Sequence, residues 1–489
     1  MWVFSASGCR WLGAAGSLAV AVGGWAAGTL PERGGWGLWE PRDSALTVAG
    51  ALLAYLGLTL LVAAWWRYGV LLARGRRDGA PGDGVLRGGA LRTLAWWTAP
   101  LLLAPPLYSA DVYSYIAQGG MVLEGHDVYG GGPAVLGPGE LGADAAASVG
   151  GNWTDTPAPY GPVFLLLAEA VVGPTGGAIV PAVLGMRLIA LGALALIVWS
   201  VRGLAGGADR DGAVWLAALN PLLLIHVVGG MHNDGLMTGL MLGGVLLAVR
   251  GRWVLGCVLV GLAMMVKSPA AVALLFIGVM VARRDGGGVR GVVKGLVLPG
   301  LVAGAVAVAA TLAAGTGFGW LRTQSVAGAI HTALSVTSDL GLALGTLVAD
   351  DPDPVKGAVQ KLGLVVAVGL ILALARRAWK GRIDPVLGLG LALVALVALS
   401  PMVQPWYLLW GTAVVAAVAW HSRAGQVLAV LSAALVYETA PSGHTPWYGF
   451  VLAGLVLALG LVWLRRDAWP VAAAEADGTL ADSRDARSR

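Results

Sequence analysis

The sequence predicts an all-α integral membrane protein, and three features carry that prediction. Of the 489 residues, 57% are hydrophobic and only 12% are charged, whereas soluble domains average about 25% charged residues. The mean hydropathy is +0.76. Apolar runs close to the ~20 residues needed to cross a bilayer recur along the chain. This composition excludes a soluble enzyme. The basic residues that give the chain its net charge of +5 lie in short loops and do not form a nucleic-acid-binding patch.

The apolar runs predict about fourteen membrane spans. We expect the spans at residues 11–30, 45–66, 93–108, 178–201, 213–230, 235–250, 253–266, 269–282, 295–316, 357–375, 385–400, 408–420, 425–440 and 447–464. The first run also fits a signal peptide, and we interpret it as an uncleaved span. Two runs, 163–173 and 340–348, are too short to cross, so we expect interfacial or re-entrant helices there.

The basic residues predict that both termini are cytoplasmic. With the N-terminus inside, most of the 32 Lys and Arg residues fall on the cytoplasmic side, as the positive-inside rule requires. A large loop, residues 109–162, then follows the third span on the extracytoplasmic side. Residues 1–466 form the membrane domain, and residues 467–489 form a tail whose composition predicts disorder. The two cysteines show no Cys/His metal spacing, so we expect no metal or other cofactor.

The large loop begins with Asp111, where a membrane helix meets water. A carboxylate that borders a medium of low dielectric constant tends to have a raised pKa, which suits a general base. Tyr113, Tyr115 and Gln118 add the hydrogen-bonding groups typical of a sugar site. The alternative interpretation is that Asp111 only caps a helix.

The end of the same loop holds Trp153, Asp155 and Tyr160 among several prolines. Aromatic rings of this kind stack on sugar rings, so we expect these residues to bind substrate. The alternative is a turn that the prolines stabilise. Three further polar residues, His232, Asn233 and Asp234, terminate an apolar run, and polar groups at the membrane edge indicate function; the alternative is a capped hairpin.

Two cations and an aromatic cluster complete the candidate site. Lys267 opposes the positive-inside rule, so we expect it to have an anionic partner, either a lipid phosphate or a carboxylate, or else a side chain that snorkels to the headgroups. Arg322 is a second candidate for the phosphate, with a solvated loop residue as the alternative. Gln404, Trp406 and Tyr407 lie between spans and either bind substrate or form an interfacial aromatic belt.

Together these motifs resemble those of the GT-C class of integral membrane glycosyltransferases. More narrowly, they resemble the actinobacterial polyprenol-phosphomannose-dependent α-1,6-mannosyltransferases. The resemblance spans most of the chain, and the matching segments are residues 109–115, 118–119, 153–162, 220–234, 265–268 and 400–407.

The resemblance implies a GT-C-like helix bundle that transfers mannose from polyprenyl-phosphate-mannose to the α-1,6-mannan of a lipoglycan. It also implies inversion at the sugar carbon, no metal, an extracytoplasmic site and Asp111 as the base. Two positions depart from the family pattern: Val128 replaces a proline, and Asp234 stands where a glutamate is common. Two alternatives stay open, a lipid-linked sugar flippase or transporter and a GT-C enzyme that uses another lipid-phosphate sugar.

Overall fold

The fold is described from a computed structural model, for residues 5–77, 89–348 and 350–465. Every regular element in those residues is helical, which confirms the predicted class. The tail predicted at residues 467–489 lies outside the described residues.

The helices follow one another with short connections. Those of the first half are α1 Ala6–Ala27, α2 Ser44–Arg77, α3 Gly89–Thr98, α4 Asp111–Leu123, α5 Ala143–Ala147, α6 Pro162–Thr175, α7 Ile179–Leu204, α8 Arg210–Ala217, α9 Pro221–Leu223, α10 Asp234–Val249 and α11 Trp253–Met264. Those of the second half are α12 Val272–Arg284, α13 Val289–Ala314, α14 Trp320–Thr323, α15 Val326–Ala329, α16 Val336–Val348, α17 Asp353–Trp379, α18 Pro385–Ala398, α19 Leu408–Ala419, α20 Arg423–Leu435 and α21 Trp447–Arg465. Short 3₁₀ segments lie at Ala99–Leu103, Pro133–Val135, Gly151–Trp153, Gly207–Asp209, Ser268–Ala271, Gly317–Gly319 and Pro405–Tyr407, and a π-helical segment lies at Leu224–Gly229.

Long apolar helices support the membrane assignment. Within the described ranges, five helices are long and apolar enough to cross a bilayer, or six if α8 and the bent segment Pro221–Gly229 form one span. Several predicted spans are shorter than expected. At 1.5 Å per residue, the 12 residues of α11 reach only about 18 Å, against a hydrocarbon core of about 30 Å. The count of about fourteen spans and its topology therefore remain predictions.

Two predicted spans are broken by proline. The expected span at 93–108 ends its α-helix at Thr98 and continues as the 3₁₀ segment Ala99–Leu103, which contains Pro100. The expected span at 213–230 bends by 48° between α8 and Pro221–Gly229. Proline removes a backbone donor and clashes with the preceding turn, so helices end or kink there.

Pairs of glycines hold neighbouring helices close together. A β-carbon at Gly16 would lie 2.7 Å from the carbonyl oxygen of Gly57, and one at Gly50 would lie 2.7 Å from that of Gly23. The antiparallel helices α1 and α2 therefore touch backbone to backbone at two points seven residues apart. Small residues allow this approach in lipid, where burial of apolar surface gives no driving force between helices.

Arg187, in the middle of α7, stabilises the broken third segment. Its Nη1 donates hydrogen bonds to the carbonyl oxygens of Leu102 and Ala104, at 2.8 and 2.7 Å. These carbonyls have no partner within a helix, because the helix ends at the prolines. Arg187 is one of the few basic residues that do not follow the positive-inside rule. Its contacts give it a structural role, because they fix the chain just before Asp111.

The region predicted as a large loop is ordered and partly helical. It contains α4, which is buried along residues 112–121. The helix lies against α6, since a β-carbon at Gly119 would lie 2.8 Å from the backbone of Ala168. The loop is therefore a packed layer whose first residue, Asp111, faces a cavity.

Candidate active site

A cavity of about 410 Å³ collects seven of the fifteen predicted site residues. Seven of them line it: Asp111, Trp153, Tyr160, Lys267, Gln404, Trp406 and Tyr407. They come from four distant stretches of the chain, which the fold brings to one chamber. Apolar side chains of α12, α17 and α18 complete the opposite wall, including Val272, Leu364 and Leu396.

The Asp111 carboxylate lies at the first residue of α4 and is 23% exposed. Its Oδ2 accepts a long hydrogen bond from the Tyr115 hydroxyl at 3.4 Å. The same oxygen lies 3.2 Å from Nδ1 of His232, in a close contact that lacks the alignment of a hydrogen bond. Its own amide donates to Ser109 Oγ at 3.1 Å. Asp111 thus has fixed neighbours on one side and the cavity on the other.

The surroundings of Asp111 correct the expectation of a raised pKa. Burial acts to raise the pKa of this carboxyl, but the contact with His232, the charge of Lys267 and the hydrogen bond with Ser109 outweigh it. The pKa therefore lies below its ordinary value. The residue is ionised at neutral pH, which is the state that a proton acceptor requires.

The chain is strained on both sides of the Asp111–His232 contact. Tyr108 and Met231 have positive φ angles of 61° and 54°. Residues other than glycine rarely adopt this backbone conformation, and each instance costs about 1–3 kcal/mol. The two residues stand directly before the turns that carry Asp111 and His232, so the strain falls where the two functional segments meet.

Lys267 pairs with a carboxylate, one of the two kinds of partner expected for it. Its Nζ lies 2.9 and 3.0 Å from the two carboxylate oxygens of Asp234. It also lies 4.3 Å from the ring centre of Tyr407. The Lys267 side chain is 16% exposed and lines the cavity, whereas Asp234 is 2% exposed and lies behind it. The lysine is held in place from the protein side and presents its remaining surface to the cavity.

The aromatic residues do not form an interfacial belt. Trp406 and Tyr407 are 6% and 9% exposed. The Trp406 ring stacks on His232 with ring centres 3.6 Å apart, and Tyr407 stacks on Trp410 at 4.4 Å. Both rings thus face the interior and separate the cavity from the polar residues behind it.

Four predicted residues, His232, Asn233, Asp234 and Tyr115, lie next to the cavity and do not line it. His232 and Asn233 are buried behind Asp111, and the backbone N–H of Asn233 donates to the Tyr115 hydroxyl at 3.4 Å. Tyr115 packs edge-on against Phe164. Polar side-chain atoms of His232 and Asn233 have no hydrogen-bond partner among the described residues. Such buried polar atoms need an explanation, and their position beside Asp111 indicates a functional role.

The remaining predicted residues, Tyr113, Gln118, Asp155 and Arg322, do not line the cavity. The Tyr113 hydroxyl donates to the carbonyl of Thr29 at 2.6 Å, deep inside the fold. Gln118 is buried and does not reach the cavity. Asp155 and Arg322 are exposed and lie outside the cavity lining.

The sequence did not lead us to Trp410, which contacts both members of the Lys267–Asp234 pair. Its Nε1 donates to Asp234 Oδ1 at 2.8 Å, and its ring lies 5.6 Å from Lys267 Nζ. A signal was present, because Trp406 and Trp410 are one helical turn apart and therefore share a face. Ser268 and Gln324, which also line the cavity, carried no such signal.

Two protein-family models match this chain, and together they include residues from both sides of the cavity. Residues 10–283, more than half of the chain, match the family model "Alpha-(1->6)-mannopyranosyltransferase, N-terminal domain". Residues 326–466 match the model "MptB C-terminal domain". The first segment contains Asp111 and Lys267, and the second contains Trp406.

Individual relatives match over nearly the whole chain. A probable α-(1→6)-mannopyranosyltransferase of Mycolicibacterium smegmatis is 34% identical, over 93% of this chain and 87% of the relative. The α-(1→6)-mannopyranosyltransferase B of Corynebacterium glutamicum is 32% identical, over 93% and 78%. The α-(1→6)-mannopyranosyltransferase A of Mycobacterium tuberculosis is 33% identical, over 92% and 88%. No solved structure matches the chain.

Proposed function

Because the chain belongs to the α-(1→6)-mannopyranosyltransferase family, and is therefore a membrane glycosyltransferase, we propose that it transfers mannose from polyprenyl-phosphate-mannose to the α-1,6-mannan of a lipoglycan. The observation that carries this proposal is a single cavity with an ionised carboxylate, a lysine and an apolar wall. A lipid-linked sugar transporter, the alternative class left open by the sequence, has no support from the family.

The two-sided cavity supports an amphiphilic donor. Leu364 and Leu396 on α17 and α18 suit a polyprenyl chain, while Lys267 stands among the polar lining residues. A donor with an apolar tail, one phosphate and one sugar matches that division. Trp153, Tyr160 and Trp406 would frame the sugars, since aromatic rings pack against sugar faces.

The proposed reaction is an in-line displacement. The Asp111 carboxylate accepts the proton of an acceptor mannose hydroxyl, and the oxygen forms a bond to the anomeric carbon. The bond from that carbon to the phosphate oxygen breaks, and polyprenyl phosphate leaves with the electron pair. Attack from the face opposite the phosphate converts a β-linked donor into an α-linked product, so the reaction is inverting.

Lys267 is proposed to donate a hydrogen bond to the leaving phosphate. An ammonium has three N–H donors, and Asp234 holds Lys267 at the edge of the cavity with part of its surface exposed. A fixed donor of this kind stabilises developing negative charge without reorganisation. We propose no metal for this step. We also propose an extracytoplasmic site, because the basic residues favour the opposite face as cytoplasmic.

The test is transfer by the purified full-length protein in nanodiscs. Labelled polyprenyl-phosphate-mannose is supplied with an α-1,6-mannan oligosaccharide, and the linkage of the product is analysed, with and without a metal chelator. We expect chelator-resistant formation of an α-1,6 bond. Matched polyprenyl phosphates of glucose and arabinose serve as controls. A faster reaction with either control sugar would contradict mannose as the donor sugar, and loss of activity with chelator would contradict the metal-free step.

A further inference from the structure

A second cavity, of about 570 Å³, lies between α2, α20 and α21 and shares no lining residue with the first. Apolar residues line it at helical spacing. Val430 and Ala433 come from α20, and Val456 and Leu459 come from α21. The facing sides of three helices therefore form one groove. We call it the α2–α21 groove.

The α2–α21 groove opens towards lipid. Both α2 and α21 are candidate membrane spans, and α21 is the least buried of the five, with 11% of its apolar window buried. Leu459, which lines the groove, is also among the exposed large apolar residues. The medium around two spanning helices is the bilayer, so the occupant of an apolar groove between them is a lipid chain.

Two arginines mark one end of the groove. Arg67 and Arg74 are its only charged lining residues. They are seven residues apart on α2, so they share one face of the helix. Arg67 lies about 35 Å along the helix from Ser44, which is just beyond a hydrocarbon core of about 30 Å. For a span whose hydrocarbon segment begins at Ser44, we expect the guanidinium groups at the level of the lipid headgroups.

An aromatic pair confirms that level. The Trp66 ring lies 5.0 Å from the ring of Trp463, near the end of α21. Tryptophans concentrate at the boundary between hydrocarbon and headgroups. At the other end of the groove, the Tyr437 hydroxyl donates to Thr59 Oγ1 at 3.2 Å. The groove thus runs about 12 Å along α2 from Arg67 to Thr59.

We propose that the α2–α21 groove binds an anionic glycerophospholipid. Its phosphate pairs with Arg67 and Arg74, and one acyl chain follows the groove towards Thr59. Guanidinium groups suit phosphate because they present paired, coplanar N–H donors. Basic pockets between spanning helices are a recurrent kind of anionic-lipid site. The groove is separate from the catalytic cavity, so this site is independent of the proposed donor and acceptor.

The test measures lipid affinity in the full-length protein. The detergent-purified protein is titrated with phosphatidylglycerol or with phosphatidylcholine of the same acyl chains, and bound lipid is counted by native mass spectrometry. We expect phosphatidylglycerol to bind more tightly. Arg74→Gln and Arg67→Gln should each weaken it about fivefold, which corresponds to about 1 kcal/mol.

Two further variants separate charge from shape. Ala63→Trp fills the groove without changing its charge and should also weaken phosphatidylglycerol binding. Arg92→Gln removes an exposed arginine outside the groove lining and is the matched control. Because Arg74 is exposed, its variant stays informative even if Arg67→Gln fails to fold.

Three results would overturn the proposal. They are equal affinity for the two lipids, parental affinity in both Arg74→Gln and Ala63→Trp, and displacement of phosphatidylglycerol by an equal concentration of polyprenyl phosphate. The last result would assign the groove to the lipid carrier instead of a bilayer phospholipid.

Discussion

The two acidic residues of the active-site region, Asp111 and Asp234, look alike in the sequence and differ in the structure. Each is the first residue of a helix that follows an apolar stretch. Asp111 is 23% exposed and keeps one side open to the cavity. Asp234 is 2% exposed and is fully engaged by Lys267 and Trp410.

The difference in exposure and partners indicates different roles for the two carboxylates, one in proton transfer and one in holding a neighbouring side chain. The Asp234 carboxylate accepts three hydrogen bonds from a lysine and an indole, and it does not line the cavity in which a substrate would bind. Asp234 is therefore a positioning residue for Lys267, and Asp111 is the candidate for proton transfer. A helix that begins with Asp does not by itself indicate which of these two roles applies.

The largest expected effect comes from Asp111→Asn. We expect the transfer rate to fall at least ~10²-fold at saturating donor, because the amide cannot accept the hydroxyl proton. Asp234→Asn is the matched variant, and we expect it to raise the KM for donor more than it lowers kcat. Steady-state kinetics in nanodiscs measures both. If Asp111→Asn keeps a near-normal kcat, the assignment of the base is wrong.

The next largest expected effect is a loss of stability in Lys267→Met. It leaves the buried Asp234 carboxylate without its cation, and breaking a buried pair on one side costs about 3–5 kcal/mol. Thermal unfolding of the purified protein measures the loss. The double variant Lys267→Met, Asp234→Asn should recover most of the stability while donor KM stays high. Recovery of both would show that Lys267 has no role towards donor.

His232→Gln should shift the pH dependence of transfer. Activity requires ionised Asp111, so activity falls as pH drops through the pKa of that carboxyl. The neighbouring His232 ring helps to hold this pKa low, and its removal should move the acidic limb upward by about one pH unit, the lower end of the effect of a close stabilising neighbour on a carboxylate. A profile of kcat against pH tests this. A limb that stays in place would mean that the ring only supports Trp406.

The smallest expected effect is that of Arg322→Gln. Arg322 is exposed and does not line the cavity, so we expect kcat and donor KM within about twofold of the parent, as for surface substitutions. Kinetics over a range of donor concentrations measures this. A tenfold rise in donor KM would bring Arg322 into the site and place a second cation opposite Lys267.

The sequence predicted the helical class and the cavity wall better than the pairing within the site. Asp111, Lys267 and Trp406 were identifiable because polar or aromatic groups at the ends of apolar runs are unusual. The Lys267–Asp234 pair was not identifiable, since it joins residues on two helical hairpins whose relative position depends on packing. The spacing of Trp406 and Trp410 indicated that both rings share one helix face, but the hydrogen bond from Trp410 to Asp234 depends on the same packing and was not identifiable.

The ends of some helices were also beyond the sequence. Hydropathy gave α10 its observed length of 16 residues and α11 nearly so, with 14 expected and 12 observed, but it did not predict that the span expected at 93–108 would leave the α-helix at Thr98. Hydropathy responds to composition, whereas helix ends depend on local backbone chemistry at glycines and prolines. Helices this short need neighbours to keep their ends from lipid.

Arg187 has a consequence for the order in which the protein is made. A helix with an arginine at its centre enters the bilayer at a cost of about 2.5–3.5 kcal/mol. The carbonyls that receive this arginine belong to residues 102–105, which leave the ribosome about eighty residues earlier. Synthesis from the N-terminus therefore makes the acceptor carbonyls before the arginine that they receive. We expect the interrupted helix that precedes Asp111 to serve also as the docking site for α7 during membrane insertion.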